Sequence, residues 1–524
     1  MAEIILKNKN WYQYENIMVK GYCFDNNGVF LEKENLVSFF STASNENDFI
    51  EKIKNANGIF SVIINKNSTL WAASDKSMIY PLFYSFENER FIISDNPYCL
   101  LRDDSKIDVE AEIEFSLSAI TLDEKTLIEG IERIKPSFYL KYHDGIICQN
   151  SYYTYTIKKE DINTGVYLEK QFETTLLSVF ERIIESVNNR QIAIPLSGGY
   201  DSRLIVGMLK KCGYENVVCY TVGYIHSPEH IIAEKVAKKL GYPYCFINNS
   251  EQDIKNYKAT TDFQNYYKFS GFFCNMFWMF EYFGINYLIK NNFVDKDAVF
   301  IPGHTGDYLA GSQTTKCGVQ NNDSLNEIAK RIYSLMFVFD HKKNKIIENK
   351  IQKVIKNESE KLPSSIFDNF LLREKYPKHI NNSARIYEFF DHEVRLPFWD
   401  NELLDFFKTL DPKLKENKLF YKNFLRNNLF ESLNINFSTE LQPSTYEVKA
   451  ARLKNEIKKI LPHFILKNIT NHKDFICLKE LSEPLLIDLR KQGITLKTNI
   501  INEISLKWYL LQIKNKKEIT KKEF

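Results

Sequence analysis

The sequence predicts an α+β region of antiparallel sheets, then an α/β region with a parallel sheet, and finally a helical C-terminal part. Up to about Tyr153, short β-branched or aromatic runs are separated by Asn, Lys and Ser turns, as is typical of an antiparallel meander. From Leu168 onward, apolar strands alternate with helical segments, which indicates βαβ units and a parallel sheet covered on both faces. From about Ser324 the pattern is mostly helical.

The first region contains four well-marked strand patterns and one helical pattern. We predict strands over 58–65, 68–74, 80–86 and 90–94, a helix near 109–117, and further strand within 137–153. The polar segment 155–165 has the composition of a linker. The domains are therefore expected at 1–158 and 166–524.

The second region begins with a helical pattern over 168–187. Strand patterns follow at 192–196, 217–224, 244–248 and 298–303, with helical segments between them. Pro228 and Glu229 suit the start of one of these helices. Such an order places the carboxyl ends of the strands along one edge of the sheet, where open α/β sheets bind ligands.

The composition excludes several classes of protein. Lys and Arg total 69 against 67 Asp and Glu, so no net field favours a nucleic acid or an anionic membrane. The nine cysteines contain no CxxC pair, which is typical of a reduced, cytoplasmic protein without a zinc site. The aromatic stretch 269–288 is interrupted by Asn and Glu, and we interpret it as a buried helix rather than a membrane span.

The stretch SGGYDS, residues 197–202, follows the strand 192–196 directly. Gly198 and Gly199 allow close backbone approach, and the amides at the start of the next helix suit phosphate. Ser202 can add a hydroxyl group. Asp201 would repel phosphate unless Mg²⁺ lies between them, because Mg²⁺ binds carboxylate and phosphate oxygens together. The alternative is a Gly-Gly turn capped by Asp and Ser.

Two later segments follow the same logic. Val222 lies at the end of the next strand, where an adenine ring could rest on the backbone, although a plain buried strand explains it equally well. The loop GHTGD, residues 303–307, again follows a buried strand, and Asp307 could supply a second carboxylate for Mg²⁺. An ordinary glycine turn containing Asp remains the alternative for this loop.

These motifs, in this order, resemble those of the asparagine synthetase family. The markers are SGGYDS, TVG, GHTGD and EVRLPFWD (393–400), with two N-terminal segments, 58–85 and 131–145, that are similar to the family's amidotransferase domain. The resemblance implies a class II glutamine amidotransferase-like domain of the N-terminal-nucleophile (Ntn) type at 1–158, which is degenerate here. It also implies a PP-loop ATP pyrophosphatase domain at 166–524.

The resemblance also implies the chemistry and the site. Mg-ATP would activate a carboxylate as an acyl-adenylate, pyrophosphate would leave, and ammonia or an amine would form an amide. Asp201 and Asp307 would bind Mg²⁺. The expected nucleotide contacts are Leu196, Ser197, Gly198, Gly199, Asp201, Ser202, Val222 and Gly303.

Three departures from the family pattern affect the expected activity. Residue 2 is Ala and the first cysteine is Cys23, so the family's terminal cysteine nucleophile is absent and no glutaminase activity is expected. His304 replaces the family Glu, and it either deprotonates the attacking amine or only hydrogen-bonds within the loop. Lys449 is the nearest match to the family's adenylate lysine, at a different offset.

The catalytic candidates are therefore His304, Glu393 and Lys449. For Glu393 the short spacing to Arg395 favours an ion pair that braces a turn over a catalytic role.

The predicted function is an AMP-forming amide synthetase that uses ATP and Mg²⁺. Its substrates would be a small-molecule, sugar or peptide carboxylate and an amine or ammonia. The alternatives are an inactive nucleotide-binding scaffold and an intramolecular cyclase of the β-lactam synthetase or lasso-peptide cyclase type. We expect no nucleic-acid or membrane partner, and a homodimer is left open.

Overall fold

A computed structural model describes residues 2–163, 165–223, 227–248, 256–339, 344–358, 360–437, 478–496 and 501–515. Its strands are β1 Glu3–Ile5, β2 Trp11–Tyr14, β3 Ile17–Phe24, β4 Phe30–Glu32, β5 Asn57–Lys66, β6 Thr69–Ser74, β7 Phe83–Glu87, β8 Arg90–Ser94, β9 Glu132–Arg133, β10 Phe138–His143, β11 Ile146–Ser151, β12 Ile192–Pro195, β13 Val217–Gly223, β14 Tyr244–Asn248, β15 Val299–Phe300 and β16 Glu393–Val394.

The first half of the chain forms two sheets, in agreement with the predicted meander. One has the strand order β11-β10-β6-β5-β3-β2, with β4 paired to β3, and is antiparallel throughout. The other has the order β1-β8-β7-β9 and contains one parallel pair, β1 with β8. All the strand segments predicted before residue 153 are present. The side chains of β5 and β6 are buried on both faces of the sheet, whereas those of β11 are mostly exposed.

The second half contains a parallel sheet with the strand order β14-β13-β12-β15-β16. Its central strand β12 is buried and pairs with β13 on one side and β15 on the other. The expected parallel α/β arrangement is therefore confirmed by the strand pairing. The edge strand β16 belongs to the EVRLPFWD motif, and the sequence pattern did not predict it.

Helices surround this sheet and account for most of the C-terminal part. They are α1 Lys33–Ser41, α2 Glu46–Asn55, α3 Val109–Ser118, α4 Leu168–Val187, α5 Tyr200–Lys211, α6 Pro228–Leu240, α7 Thr261–Gly271, α8 Phe280–Lys290, α9 Gly306–Leu309, α10 Ser312–Cys317, α11 Leu325–Met336, α12 Lys345–Ile355, α13 Pro363–Lys375, α14 Asn381–Phe389, α15 Asn401–Thr409, α16 Pro412–Lys415, α17 Leu419–Phe424, α18 Leu478–Lys491 and α19 Ile501–Asn515. Two π-helical turns, Tyr376–Ile380 and Leu425–Phe430, follow α13 and α17.

Two sequence expectations need correction. The aromatic stretch 269–288 is not one helix, because Phe272 and Phe273 adopt left-handed backbone conformations (φ 43° and 58°) and separate α7 from α8. The segment expected to be a linker packs onto α13: the backbone amide of Ile157 donates to Ser365 Oγ at 3.1 Å, and Tyr155 is buried. Within the described residues, no helix is both long and apolar enough to cross a membrane.

The two halves of the chain share a polar contact at Asp400. Asn57 Nδ2, in β5, donates to Asp400 Oδ2 at 2.8 Å, and Arg182 Nη2 donates to the same oxygen at 2.9 Å. The preceding residue, Trp399, donates from Nε1 to Thr305 Oγ1 at 3.0 Å. The first sheet is thus connected through this segment to the loop that follows β15.

Candidate functional site

The candidate site lies where β12 and β15 end and two glycine-containing loops meet. The first loop runs from Leu196 to Gly199, the N-cap of α5, and the second runs from Ile301 to Thr305, ahead of α9. A Cβ atom on Gly303 would lie 2.9 Å from the backbone nitrogen of Ser202, and one on Gly306 would lie 2.8 Å from Asp201 Cγ. The loops can therefore approach this closely only because glycine occupies both positions.

Asp201 and Asp307 come together at the meeting point of the two loops. The backbone amide of Asp307 donates to Asp201 Oδ2 at 2.7 Å, and the hydroxyl of Tyr421 donates to Asp201 Oδ1 at 2.9 Å. Burial, and then the negative charge of Asp307, raise the pKa of Asp201 to about 7. Two adjacent carboxylates in a buried site are favoured when a cation lies between them.

The two acids fit a magnesium ion that also binds a nucleotide. Mg²⁺ is usually held by one or two carboxylates plus phosphate oxygens and water, rather than by a full set of protein ligands. In the part of the chain that the structure describes, no cluster of three or more His, Cys, Asp or Glu side chains could hold a metal. Two acids beside a phosphate-sized space provide a site of this kind, in which the protein supplies only part of the magnesium ligands.

The space between the loops is a cavity of about 300 Å³. Five of the expected nucleotide contacts line it, and so do the two other loop residues expected in the site. The lining residues are Pro195, Ser197, Gly199, Tyr200, Asp201, Ser202, Pro302, Gly303, His304, Asp307 and Lys418.

Three expected nucleotide contacts do not line this cavity. Leu196 is buried, and its backbone nitrogen donates to Tyr220 O at 2.8 Å. Gly198 faces α6, since a Cβ atom there would lie 3.3 Å from the Cα of Glu229. Val222 packs against Gly284 of α8. Their local role in this structure is to hold the loop and the sheet in place.

The serine hydroxyls close the first loop on itself. Ser202 Oγ accepts a hydrogen bond of 3.0 Å from the backbone nitrogen of Ser197, and the two hydroxyl oxygens are 3.1 Å apart. Arg203 fastens the same loop, because its Nη2 donates to Gly198 O at 2.6 Å. The arginine that follows SGGYDS therefore has a structural partner that the sequence did not reveal.

His304 lies on the wall of the cavity and is held in its neutral form. Burial lowers the pKa of its imidazole to about 4. Its Nδ1 atom is buried and has no hydrogen-bond partner among the described residues. A neutral imidazole with an unpaired nitrogen at this position can accept a hydrogen bond or a proton from a bound group.

Lys418 is the cavity cation that the sequence analysis missed. It follows Asn417, and both residues adopt left-handed backbone conformations (φ 54° and 61°) just before α17. Its positive charge acts to lower the pKa of Asp201. No sequence motif marks Lys418, so its position at the loops depends on tertiary packing. Lys449, the lysine expected near the adenylate, lies outside the described residues.

Glu393 lies at the opposite end of the sheet from the cavity. In the strand register, Glu393 pairs with Val299, which pairs with Ile192, the first residue of β12. The carboxylate contacts Arg190 Nη1 at 2.7 Å and Arg395 Nη2 at 2.9 Å. The two arginines outweigh the effect of burial and lower its pKa to about 2. This position and these ion pairs favour the bracing role expected for Glu393 over the catalytic one.

Fold and site together define an α/β domain with a cavity at the ends of its parallel strands, lined by two acidic side chains. Residues 178–433, just under half of the chain, match the family model described as asparagine synthase. The match includes both loops, Lys418 and the EVRLPFWD motif.

Two curated relatives are similar to this chain. A probable glutamine-hydrolysing asparagine synthetase of Acanthamoeba polyphaga mimivirus is 25% identical over 395 residues, which cover 69% of this chain and 57% of the relative. The microcin J25-processing protein McjC of Escherichia coli is 24% identical over 257 residues, or 47% of this chain and 46% of the relative. The chain thus spans about half the length of the curated relatives it matches.

Two solved structures show a weaker likeness. Glutamine phosphoribosylpyrophosphate amidotransferase from B. subtilis, complexed with ADP and GMP, has a TM-score of 0.19 at 11% identity, covering 47% of this chain and 76% of that one. An allosteric regulatory enzyme of purine biosynthesis has a TM-score of 0.20 at 10% identity, with coverage of 47% and 74%. Scores of this size support no conclusion about this chain.

Proposed function

We propose that the protein is an ATP-dependent amide synthetase that releases AMP and pyrophosphate. The observation that carries the proposal is the pairing of Asp201 with Asp307 on one cavity between two glycine loops. The match of residues 178–433 to the asparagine synthase family model supports the same chemistry. The cofactors would be ATP, as the activating substrate, and Mg²⁺.

In the first step, a carboxylate oxygen of the acyl substrate attacks the α-phosphorus of ATP. The bond from that phosphorus to the bridging oxygen breaks, and pyrophosphate leaves with the electron pair. A magnesium ion held by Asp201 and Asp307 would supply positive charge against the departing pyrophosphate. The amides at the start of α5 and the side chain of Lys418 would bind and orient the phosphates.

In the second step, an amine nitrogen attacks the acyl carbon and AMP leaves as the carbon–oxygen bond breaks. The nitrogen then loses a proton, which a neutral imidazole can accept. His304 is neutral, faces the cavity and has an unpaired Nδ1 atom, so we assign this role to it.

The nitrogen is proposed to come from ammonia or an amine, without glutamine hydrolysis by the N-terminal sheets. A glutaminase of this kind needs an accessible thiolate. Cys23 is buried in β3, and burial raises its pKa well above the usual range. Burial also raises the pKa of Cys99. Cys148 is exposed, but it lies within the edge strand β11 and not at the start of the chain, where the family's nucleophile is expected. These sheets are then a retained, degenerate amidotransferase-like domain.

The test is pyrophosphate release from ATP across a panel of carboxylic acids, each with ammonium or amines. AMP should form in equal amount, and Asp201→Ala should abolish both products. Asp104→Ala, at an exposed acid near the first sheets, is the matched control and should leave the rate unchanged. Glutamine should yield no glutamate. ATP binding without turnover on any acid would favour the inactive scaffold instead.

A peptide cyclase is the second candidate. The similarity to a microcin-processing protein favours this candidate. In a peptide cyclase, the acyl group and the amine would belong to one peptide. Such an enzyme would need no added amine, and its product would be lighter than the substrate by one water. Mass spectrometry of candidate peptides incubated with Mg-ATP, without ammonium, separates this reaction from intermolecular amidation.

A further inference from the structure

Glu281, in the first turn of α8, has a buried carboxylate oxygen without a partner. Its Oε2 atom forms no hydrogen bond with any residue that the structure describes. No cation of these residues offsets the burial, and the pKa of the carboxyl group rises to about 8. The side chain as a whole is partly exposed, so the acid lies just below the surface.

The topology places Glu281 at the edge of the parallel sheet where the two glycine loops lie. Helix α8 precedes β15, which runs parallel to β12, so α8 crosses the sheet in the opposite direction and starts at the carboxyl ends of the strands. One turn after Glu281, a Cβ atom on Gly284 would lie 2.5 Å from Cγ2 of Val222, near the end of β13. Because residues three apart share a face of a helix, Glu281 faces the end of β13.

A pair of tyrosines connects this position with the cavity. Tyr220, on β13, pairs in the sheet register with Pro195, which lines the cavity. The hydroxyl oxygen of Tyr220 lies 3.4 Å from that of Tyr387 in α14. The negative charge of Glu281 acts on both hydroxyl groups. Glu281, the two tyrosines and the cavity wall therefore belong to one region at this end of the sheet.

The segment around Glu281 is aromatic and leads to a second unpartnered atom. Tyr266, on which the charge of Glu281 also acts, stacks on Tyr282 with ring centroids 5.1 Å apart and donates its hydroxyl to Trp278 O at 2.6 Å. Trp278 donates from Nε1 to His379 O at 2.8 Å, and the two rings are 4.8 Å apart. His379 Nδ1 is buried and has no partner among the described residues. Burial lowers the pKa of this imidazole to about 4, so His379 adds no positive charge.

The π-helical turn that carries His379 also reaches the second glycine loop. Tyr376, the first residue of this turn, lies against Tyr308 of α9, with ring centroids 4.0 Å apart. Helix α9 also carries Asp307. Trp278 and His379 are partly exposed, as Glu281 is. The two unpartnered atoms thus belong to partly accessible residues between β13 and the second loop, and π-helical turns occur frequently at functional sites.

The chemistry of this region fits an organic cation. A carboxylate without a partner is stabilised when a ligand brings a positive charge, and aromatic rings attract an ammonium group. Mg²⁺ is a poorer match, because it takes several oxygen ligands and no cluster of three acidic, His or Cys side chains occurs within the described ranges. Arg385, whose charge reaches Tyr266, is engaged elsewhere, since its Nη1 donates to Phe269 O at 2.8 Å.

We propose that Glu281 binds the ammonium group of the amine that supplies the amide nitrogen, so that the nitrogen donor is an organic amine rather than free ammonia. The inference rests on the proposed function, because it takes the acyl-adenylate in the cavity as the group that the amine attacks. The bound ammonium gives one proton to the Glu281 carboxylate before attack. The nitrogen loses a second proton after attack, and this is the proton already assigned to His304. Both protons that separate an ammonium from an amide nitrogen then have an acceptor.

Isothermal titration calorimetry of the full chain tests this without turnover. Butylammonium and benzylammonium would be titrated at pH 7, with 1-butanol and benzyl alcohol as uncharged molecules of the same carbon skeleton. The titrations would be repeated with Mg²⁺ and α,β-methylene-ATP. Glu281→Gln removes the charge and keeps the shape, whereas Glu281→Asp keeps the charge. Asp262→Asn, at an exposed acid in the first turn of α7, is the matched control.

We expect the amines, and not the alcohols, to bind, both with and without the nucleotide analogue. Glu281→Gln should weaken amine binding about tenfold or more, as expected for loss of a hydrogen bond to a charged group. Glu281→Asp should lose less, and Asp262→Asn should leave the affinity unchanged. Because the free carboxyl group has a pKa of about 8, amine binding should release close to one proton at pH 7 and close to none at pH 9. Titrations in buffers of different ionisation enthalpy measure this release.

The comparison of amine with alcohol needs no variant. Equal binding of an amine and its alcohol, no binding of any amine, or an unchanged affinity in Glu281→Gln would overturn the proposal. Competition between amine and nucleotide analogue, or weaker nucleotide binding by Glu281→Gln, would assign the carboxylate to the nucleotide and overturn it as well.

Turnover assays separate this inference from the proposed function. Glu281→Gln should raise KM for the amine about tenfold and leave KM for ATP unchanged. If no carboxylic acid supports pyrophosphate release, the proposed function fails, whereas the amine titrations still decide whether Glu281 binds an ammonium group.

Discussion

The backbone amide of Asp307 and Oδ2 of Asp201 form a hydrogen bond of 2.7 Å across 106 positions of the chain. This contact fixes the ends of the two loops relative to each other before any ligand binds. Both acidic side chains line the same cavity, and the negative charge of Asp307 helps to raise the pKa of Asp201.

Magnesium binding should depend on pH through Asp201. The pKa of Asp201 is raised to about 7, so below that pH the carboxyl holds a proton that the cation must displace. Apparent Mg²⁺ affinity should fall about tenfold for each pH unit below 7 and level off above it. Calorimetric Mg²⁺ titration at saturating nucleotide, corrected for ATP protonation, measures this. A flat profile between pH 5.5 and 8 would contradict it.

Gly303→Ala should weaken ATP binding. The added Cβ atom would meet the backbone nitrogen of Ser202 at 2.9 Å and force the two loops apart. Such overpacking costs about 1–3 kcal/mol, so we expect at least about a fivefold loss of affinity by equilibrium binding.

Gly213→Ala provides the matched control for this substitution. Gly213 has φ +77° and open space around its Cα, so alanine there should cost about 1–2 kcal/mol of stability through backbone strain alone. Its ATP affinity should equal that of the wild type. Equal affinities for both variants would show that the close approach at Gly303 is unimportant.

His304→Ala should separate the two half-reactions. Adenylation does not use the imidazole in our proposal, so exchange of labelled pyrophosphate into ATP should stay within about threefold of the wild-type rate. Amide formation should fall about 10²–10⁴-fold, the usual contribution of a general base. If both steps fall together, or neither does, His304 has only a local role in its loop.

Glu393→Gln should affect stability and leave pyrophosphate release within about twofold. The folded pKa of about 2 lies below the ordinary value of 4.5, so the stabilising contribution is present above pH 4.5 and is lost as the pH falls toward 2. Because Glu393 is 40% exposed, we expect a cost of only about 1 kcal/mol at pH 7.

Urea unfolding at pH 7 and pH 3 would measure that difference. The midpoints of wild type and Glu393→Gln should be well separated at pH 7 and less than half as far apart at pH 3, because part of the contribution persists until the pH falls toward 2. A large loss of activity with no change in the midpoint would return Glu393 to the catalytic candidates.

Local sequence carried the prediction of the sheets and of the two loops. Helix α4 begins and ends where its apolar periodicity does, and the strands on either side of SGGYDS follow from short apolar runs. Asp201 and Asp307 could be paired in advance, because parallel strands bring their carboxyl ends to one edge. The same rule could not separate Gly199, which lines the cavity, from Gly198, which faces a helix.

Long-range partners were beyond the reach of the sequence. Tyr421 and Lys418 come to the site from a helix and a turn that carry no motif, so their positions depend on tertiary packing alone. Glu393 shows the opposite case. Its motif indicated importance, but the strand register sets it at the far end of the sheet.

The hydrogen bonds around Asp400 have a consequence for gene engineering. Cutting the chain near residue 160 and discarding the first half would remove Asn57, which donates to the buried carboxylate of Asp400. The adjacent residue, Trp399, which donates to Thr305 in the second loop, would then lose this support. We therefore expect the truncated chain to bind ATP more weakly, although it still contains every residue of the two loops. In our proposal the N-terminal sheets therefore support the loop that follows β15, a role that does not depend on glutamine hydrolysis.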